Sequence, residues 1–151
     1  MFRRITLATL AVLGSAFGHA TAQRSHVGLH GGYHFDLDDA LIGAQLHLPL
    51  TPSIELYPSF DYYFVEGGKL LGFNGDLKFR APGGPVYFGG GVNVLRTSPD
   101  GGGPGSSDTG FNLFGGFETR YGRTHPYLEA RGLFHDATSL QLAFGINITL
   151  Y

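Results

Sequence analysis

From Val27 to Leu150, apolar and polar residues alternate in eight segments. A strand projects successive side chains to opposite faces, so each segment reads as a strand with one apolar and one polar face. The last is the plainest case: Leu140, Leu142, Phe144, Ile146, Ile148 and Leu150 alternate with Gln141, Ala143, Gly145, Asn147 and Thr149. The pattern predicts strands over about 26–35, 41–50, 54–65, 70–80, 86–96, 110–120, 126–135 and 140–150. The apolar face carries no charge on any of the eight. The other face holds Glu55, Asp61, Asp76, Lys78, Arg80, Glu118, Arg120, Glu129 and Arg131. Pro58 lies inside the third segment, where a missing N–H calls for a bulge. The Pro-, Gly- and Ser-rich stretch Thr97 to Thr109 is expected to be the one long, mobile loop.

The chain opens with the features of an export signal. Arg3 and Arg4 precede an apolar run from Ile5 to Phe17, and Ala20-Thr21-Ala22 is a small-x-small cleavage site. Residues 1–22 are therefore expected to be a signal peptide and residues 23–151 a single barrel domain. Eight strands of roughly 10 residues, an even count and an export signal predict an all-β fold, an eight-stranded antiparallel up-and-down transmembrane β-barrel.

Alternation alone does not say which face points outward. A soluble, lipocalin-like barrel with its charged face in water and an apolar ligand in its lumen has the same period. Two features favour the membrane. The charged face mixes signs almost evenly. Aromatics also gather at strand ends, with Tyr33, Phe35, Tyr62 and Phe64 toward one end and Phe79, Phe88 and Phe117 toward the other, as interfacial girdles do. Composition narrows the classes further. Loss of Arg3 and Arg4 takes the formal charge from −2 to −4, and no basic patch is present, so nucleic acid is not an expected partner. There is no cysteine to staple a small exported domain. The 25 glycines suit a β protein with many tight turns.

Eight strands enclose a space that side chains fill. The charged face is thus expected to form a packed polar core, not an open channel, and its charges must be paired. The third hairpin brings Glu55 opposite or diagonal to Lys78 and Arg80. The sixth and seventh strands bring Glu118 and Arg120 near Glu129 and Arg131. These seven residues are the expected internal salt-bridge network.

Pro85-Val86-Tyr87-Phe88-Gly89-Gly90-Gly91-Val92 resembles the P-x-x-x-G-x-G strand of small outer-membrane barrels. Phe114-Gly115-Gly116-Phe117-Glu118, followed by Pro126-Tyr127-Leu128-Glu129-Ala130-Arg131, resembles their G-x-E … P-Y-x-E-x-R hairpin. The chain is thus similar to the OmpA/OmpX-type and opacity-type eight-stranded barrels over nearly all of its mature length. That resemblance implies outer-membrane lipid and the barrel-assembly machinery as partners, a monomer, and a structural or surface-interaction role. Tyr151 is a terminal aromatic, as in the family, but it is out of phase with Leu150, Ile148 and Ile146.

Candidate chemistry is sparse. His26, His30 and His34 share the polar face of the first strand, and His47 is expected opposite or diagonal to His30. Clustered imidazoles suit zinc or copper, but two placed ligands do not make a site, and hydrogen-bonded filler is the plainer reading of His30 and His47. His135, Asp136 and Ser139 raise the question of a lipid-modifying hydrolase. They flank a turn without a recognisable nucleophile signature, so neither catalysis nor a cofactor is expected. Asn147-Ile148-Thr149 has the spacing of a glycosylation acceptor but lies within the last strand. Gly89-Gly90-Gly91 opens no helix and is no phosphate loop.

Overall fold

The computed structural model describes residues 24–150. The expected signal peptide and Tyr151 lie outside the described residues. The chain forms β1 (His26–His34), β2 (Asp39–Thr51), β3 (Ile54–Tyr63), β4 (Gly68–Arg80), β5 (Val86–Pro99), β6 (Ser106–Glu118), β7 (Thr124–Phe134) and β8 (Thr138–Thr149). Each strand pairs antiparallel with the next, and β8 pairs with β1 to close the barrel. Closure leaves no sheet edge unpaired.

The ladder fixes the barrel's stagger. Stepping from His26 to each partner on the following strand leads through His47, Tyr57, Asp76, Gly91, Asn112 and Leu133 to Ser139. The step from β2 to β3 takes the register that holds on both sides of it. His26 itself pairs with Thr149, ten residues further along β8. Ten residues at ~3.3 Å each, spread over eight strands ~4.8 Å apart, tilt the strands about 40° to the barrel axis.

The faces divide as the alternation does. Leu29, Ile42, Phe73, Phe88, Leu113, Phe117 and Phe144 point outward and are exposed, whereas Asp61, Asp76, Lys78, Glu118, Glu129 and Arg131 are buried inside. The inverse arrangement, with charges outward around an apolar lumen, is not the one this fold has. At the outer ends of the strands, Tyr33 meets Phe35 and Tyr62 meets Phe64 edge to face at one rim, and Phe79 stacks on Phe88 at the other.

Two expectations are corrected. The segment Thr97 to Thr109 is not a long loop. Arg96 pairs with Ser107 and Thr97 with Ser106, so β5 and β6 run on and only residues 100–105 connect them. Alternating polar residues hid this extension, since small polar residues pair in a hairpin as readily as they form a loop. Pro58 causes no bulge. Pairing with β2 is defined at Gln45↔Ser59 and again at Leu48↔Leu56 in the same register, so the ladder merely lapses beside the missing N–H. The register shift falls instead at Pro49 to Thr51.

The barrel's two ends differ. The lower end carries the start of β1 and the turns at 52–53, 81–85 and 119–123; the upper end carries those at 35–38, 64–67, 100–105 and 135–137. At the upper end the interior turns apolar, with Leu41, Tyr63 and Leu70 buried against Val65 and Leu95. In the lower half Tyr57, Tyr87, Phe114 and Tyr127 fill the cross-section. Inward glycines make room for them. A Cβ on Gly116 would stand 2.6 Å from Tyr87 Oη and 2.3 Å from the Leu128 carbonyl oxygen, whereas one on Gly75 would meet nothing within 4 Å. Gly116→Ala should therefore destabilise the barrel by about 1–3 kcal/mol, with Gly75→Ala within about 0.5 kcal/mol of the parent. Urea unfolding of the folded barrel in lipid vesicles measures both.

Candidate functional site

Charges enclosed with little water must be neutralised by one another. They fall into two clusters, one above the other. In the lower, the Arg80 guanidinium donates from Nε to Glu55 Oε1 at 2.7 Å and from Nη2 to Glu118 Oε2 at 2.6 Å. Lys78 Nζ, on a fully buried side chain, donates to Glu118 Oε2 at 2.9 Å and lies 3.7 Å from the centroid of the Tyr87 ring. Glu118 Oε1 accepts from Asn147 Nδ2 at 3.0 Å. Two carboxylates thus face two cations.

The upper cluster centres on Arg131. Its Nη1 donates to Asp76 Oδ2 at 2.6 Å, its Nη2 to Glu129 Oε1 at 2.9 Å, and its guanidinium carbon lies 4.5 Å from the centroid of Phe114. The hydroxyls of Tyr57 and Tyr87 donate to Glu129 Oε2 at 3.3 and 3.0 Å. Tyr87 therefore touches both clusters, through its hydroxyl above and its ring below.

The pairing differs from the sequence expectation in membership. Glu55 and Lys78 are cross-strand neighbours, but Glu55 bonds Arg80, and Lys78 bonds Glu118. Glu118 reaches across the lumen to Lys78 and Arg80 instead of along its own hairpin to Arg131. Arg120 is not in the network: β6 ends at Glu118, and Arg120 is exposed at the lower mouth. Asp76, which had no assigned partner, holds Arg131. Sequence spacing shows cross-strand neighbours but not which side chains meet across the lumen.

The histidines are also rearranged. His30 sits opposite Gly43, not His47. Its Nε2 lies 2.6 Å from Asp61 Oδ1 and its Nδ1 bonds Gln45 Oε1, so both ring nitrogens are engaged in the polar packing. The cross-strand partner of His47 is His26, and at the lower end His26 also meets His125 edge to face. His125 lay just outside the predicted seventh strand. The signal that finds it is the extension of β7 to Thr124, which turns its side chain inward. His135 Nε2 has no hydrogen-bond partner among the described residues. Asn147 is fully buried, with its Oδ1 accepting from Gln45 Nε2 at 2.7 Å, and offers no glycosylation acceptor.

The lower mouth holds a cavity of about 360 Å³ lined by His26, Glu55, Arg80, Glu118, Arg120 and His125, among others. Higher up, a void of about 10 Å³ lies among His30, Asp61, Tyr127, Glu129 and Arg131, room for about one water molecule.

A closed eight-stranded up-and-down barrel with an apolar exterior and a charged, filled interior has the architecture of the small transmembrane β-barrels. Solved structures agree on the fold. The N-terminal β-barrel domain of Pseudomonas aeruginosa OprF superposes with a TM-score of 0.66 at 19% identity, over 85% of this chain and 98% of that one. Neisserial surface protein A gives 0.59 at 13%, over 83% and 95%. Ail, the attachment invasion locus protein of Yersinia pestis, gives 0.53 at 12%, over 83% and 95%. No protein-family model matches the sequence, and no curated protein matches it significantly.

Among the described residues Arg131 is the single cation at bonding distance from Asp76 and Glu129, so its removal leaves two buried carboxylates without a countercharge. Arg131→Met should cost about 3–5 kcal/mol of stability in vesicles. Adding Asp76→Asn and Glu129→Gln to the same chain should recover most of it. A cost for the single change below about 1 kcal/mol would mean that water reaches these carboxylates.

Proposed function

We propose that the chain is an integral outer-membrane β-barrel with a sealed lumen and a structural or surface-interaction role, without enzymatic activity. One observation carries the reading: the barrel is inverted relative to a soluble protein. Leu29 is 70% exposed and Phe144 65% exposed, both mid-strand, while Lys78 is 0% exposed. Apolar side chains of that size around a whole circumference need a lipid solvent. The kinship in fold with OprF, NspA and Ail supports the same membrane.

The sealed lumen rests on the side chains that fill it. Two ion-pair clusters, four large aromatic rings and the apolar plug at the upper end fill the lumen above the mouth, and the void at the His30–Arg131 level has room for about one water molecule. The surface role falls to the upper rim. Its connections are all six residues or fewer, too short for a folded binding loop. The rim is acidic: Asp36, Asp38, Glu66, Asp100, Asp108 and Asp136 are exposed there against Lys69 and Arg96. A surface partner would meet a flat, negative ring.

Fractionation of expressing cells tests the membrane placement. The protein should be found in the outer membrane, require detergent for extraction, and migrate differently on SDS gels before and after boiling. A soluble periplasmic band would overturn the proposal. A second test separates lipid from water at the exterior. Leu29→Arg should destabilise the barrel in vesicles by about 2–4 kcal/mol if that face meets the bilayer centre, and would be nearly neutral on a water-facing surface. In planar bilayers the folded protein should give no lasting conductance steps. Sustained steps from the unmodified chain would contradict the sealed lumen.

A further inference from the structure

We propose that the lower mouth of the barrel is a binding site for a nitrogen-preferring divalent metal ion such as zinc, with His26, His47 and His125 as its ligands. The three imidazoles come from β1, β2 and β7, and the closed register brings them together. The His26 ring centroid is 5.9 Å from that of His47 and 5.1 Å from that of His125. Zinc–nitrogen bonds with near-tetrahedral angles place the centroids of two ligating imidazoles about 5 Å apart. His26 thus stands near the ligating spacing from each of the other two rings.

Two of the rings are held in the ligating tautomer. His47 Nδ1 lies 3.0 Å from Glu55 Oε2, and His125 Nδ1 lies 2.8 Å from the Thr119 carbonyl oxygen. The carbonyl only accepts, and so does the Glu55 carboxylate held by Arg80, so in both rings Nδ1 carries the proton and Nε2 presents its lone pair. A carboxylate or carbonyl behind the distal nitrogen is the support that metal-binding histidines have. His47 Nε2 is buried without a partner on a fully buried side chain, and His26 Nδ1 is likewise buried and unpartnered. His125 Nε2 is 3.0 Å from Thr149 Oγ1, a hydroxyl that can rotate away. Two orphaned ring nitrogens in one cluster are a cost that a metal would remove.

The rings meet edge to face, and among the described residues no three potential ligands converge on one point as they stand. Loading therefore turns His26, whose Nδ1 is unpartnered among the described residues, toward its two fixed neighbours. The mouth cavity, lined by His26 and His125, is the entry path. Its other charged groups set the selectivity. Glu55 and Glu118 are committed to Arg80 and Lys78, and Arg24 and Arg120 also line the opening. Hard oxygen-seeking cations find no free carboxylate there, so the site selects for imidazole affinity over charge. This proposal does not depend on the membrane reading.

The test uses the untagged chain, folded in detergent micelles, with zinc chloride as titrant and magnesium chloride as control. One zinc per chain should bind at micromolar concentration and raise the unfolding temperature, while magnesium should do neither. His26→Ala and His125→Ala should each weaken zinc binding at least ten-fold, whereas His34→Ala, at the upper end, should leave it unchanged. Retention of the boiled-against-unboiled gel shift verifies that each variant folds. Imidazole nitrogen-15 spectra of the parent chain provide a readout that needs no variant: zinc should move Nε2 of His47 and His125. Failure of zinc to bind, or binding that survives both alanine variants, or spectra in which only His34 or His135 responds, would each overturn the site.

Discussion

A charge enclosed in a closed barrel has no bulk water to fall back on, so it must be matched by another charge inside. Most of what is particular to this chain follows from that constraint. The lumen of eight strands tilted at about 40° is one side chain deep from each wall. Lys78, Arg80 and Arg131 cross it to carboxylates on non-adjacent strands, and each cross-lumen pair ties together strands that share no backbone hydrogen bond. Backbone ladders hold each strand to its neighbours. The ion pairs and tyrosines brace the barrel across its width.

The same constraint explains the glycines and aromatics. Long cationic side chains and four aromatic rings do not fit in a narrow lumen unless other inward positions are empty. Gly116 faces the Tyr87 hydroxyl and Gly89 faces the Phe114 ring, in each case too closely for a Cβ. Tyrosine is suited to this role because its ring fills volume while its hydroxyl supplies a bond, as at Glu129. Phenylalanine serves at position 114, where the Arg131 guanidinium lies over the ring and no acceptor needs a donor.

Strand number, strand phase and the identity of the inward face were legible in the sequence, because a period of two survives in every segment and one uncharged face implies an uncharged environment. The register was not legible. It depends on where each short turn ends, and a shift of one residue at each of seven connections is beyond what turn composition specifies. Hence Glu55 could be placed beside Lys78, from one hairpin, but not Glu118 beside Lys78, which requires the cross-lumen geometry. Predicted strands over 26–35 and 41–50 put His47 opposite or diagonal to His30, whereas Asp39 pairs with His34 and moves the partner of His47 down to His26. Arg120 kept the right parity but fell beyond the end of its strand, where parity no longer sets direction.

The two ends of the barrel follow from the position of the charges along its axis. The ion pairs occupy the middle and lower half, and Leu41, Tyr63 and Leu70 close the upper end, where exposed connections are short and acidic. Apolar side chains thus fill the upper end, and a histidine-lined mouth opens at the lower end. Above that mouth Lys78, Tyr57 and Tyr87 cross the lumen, so a ligand entering there must be small. A single ion meets that condition. The packing that crowds the middle of the barrel therefore leaves a shallow site at its lower mouth.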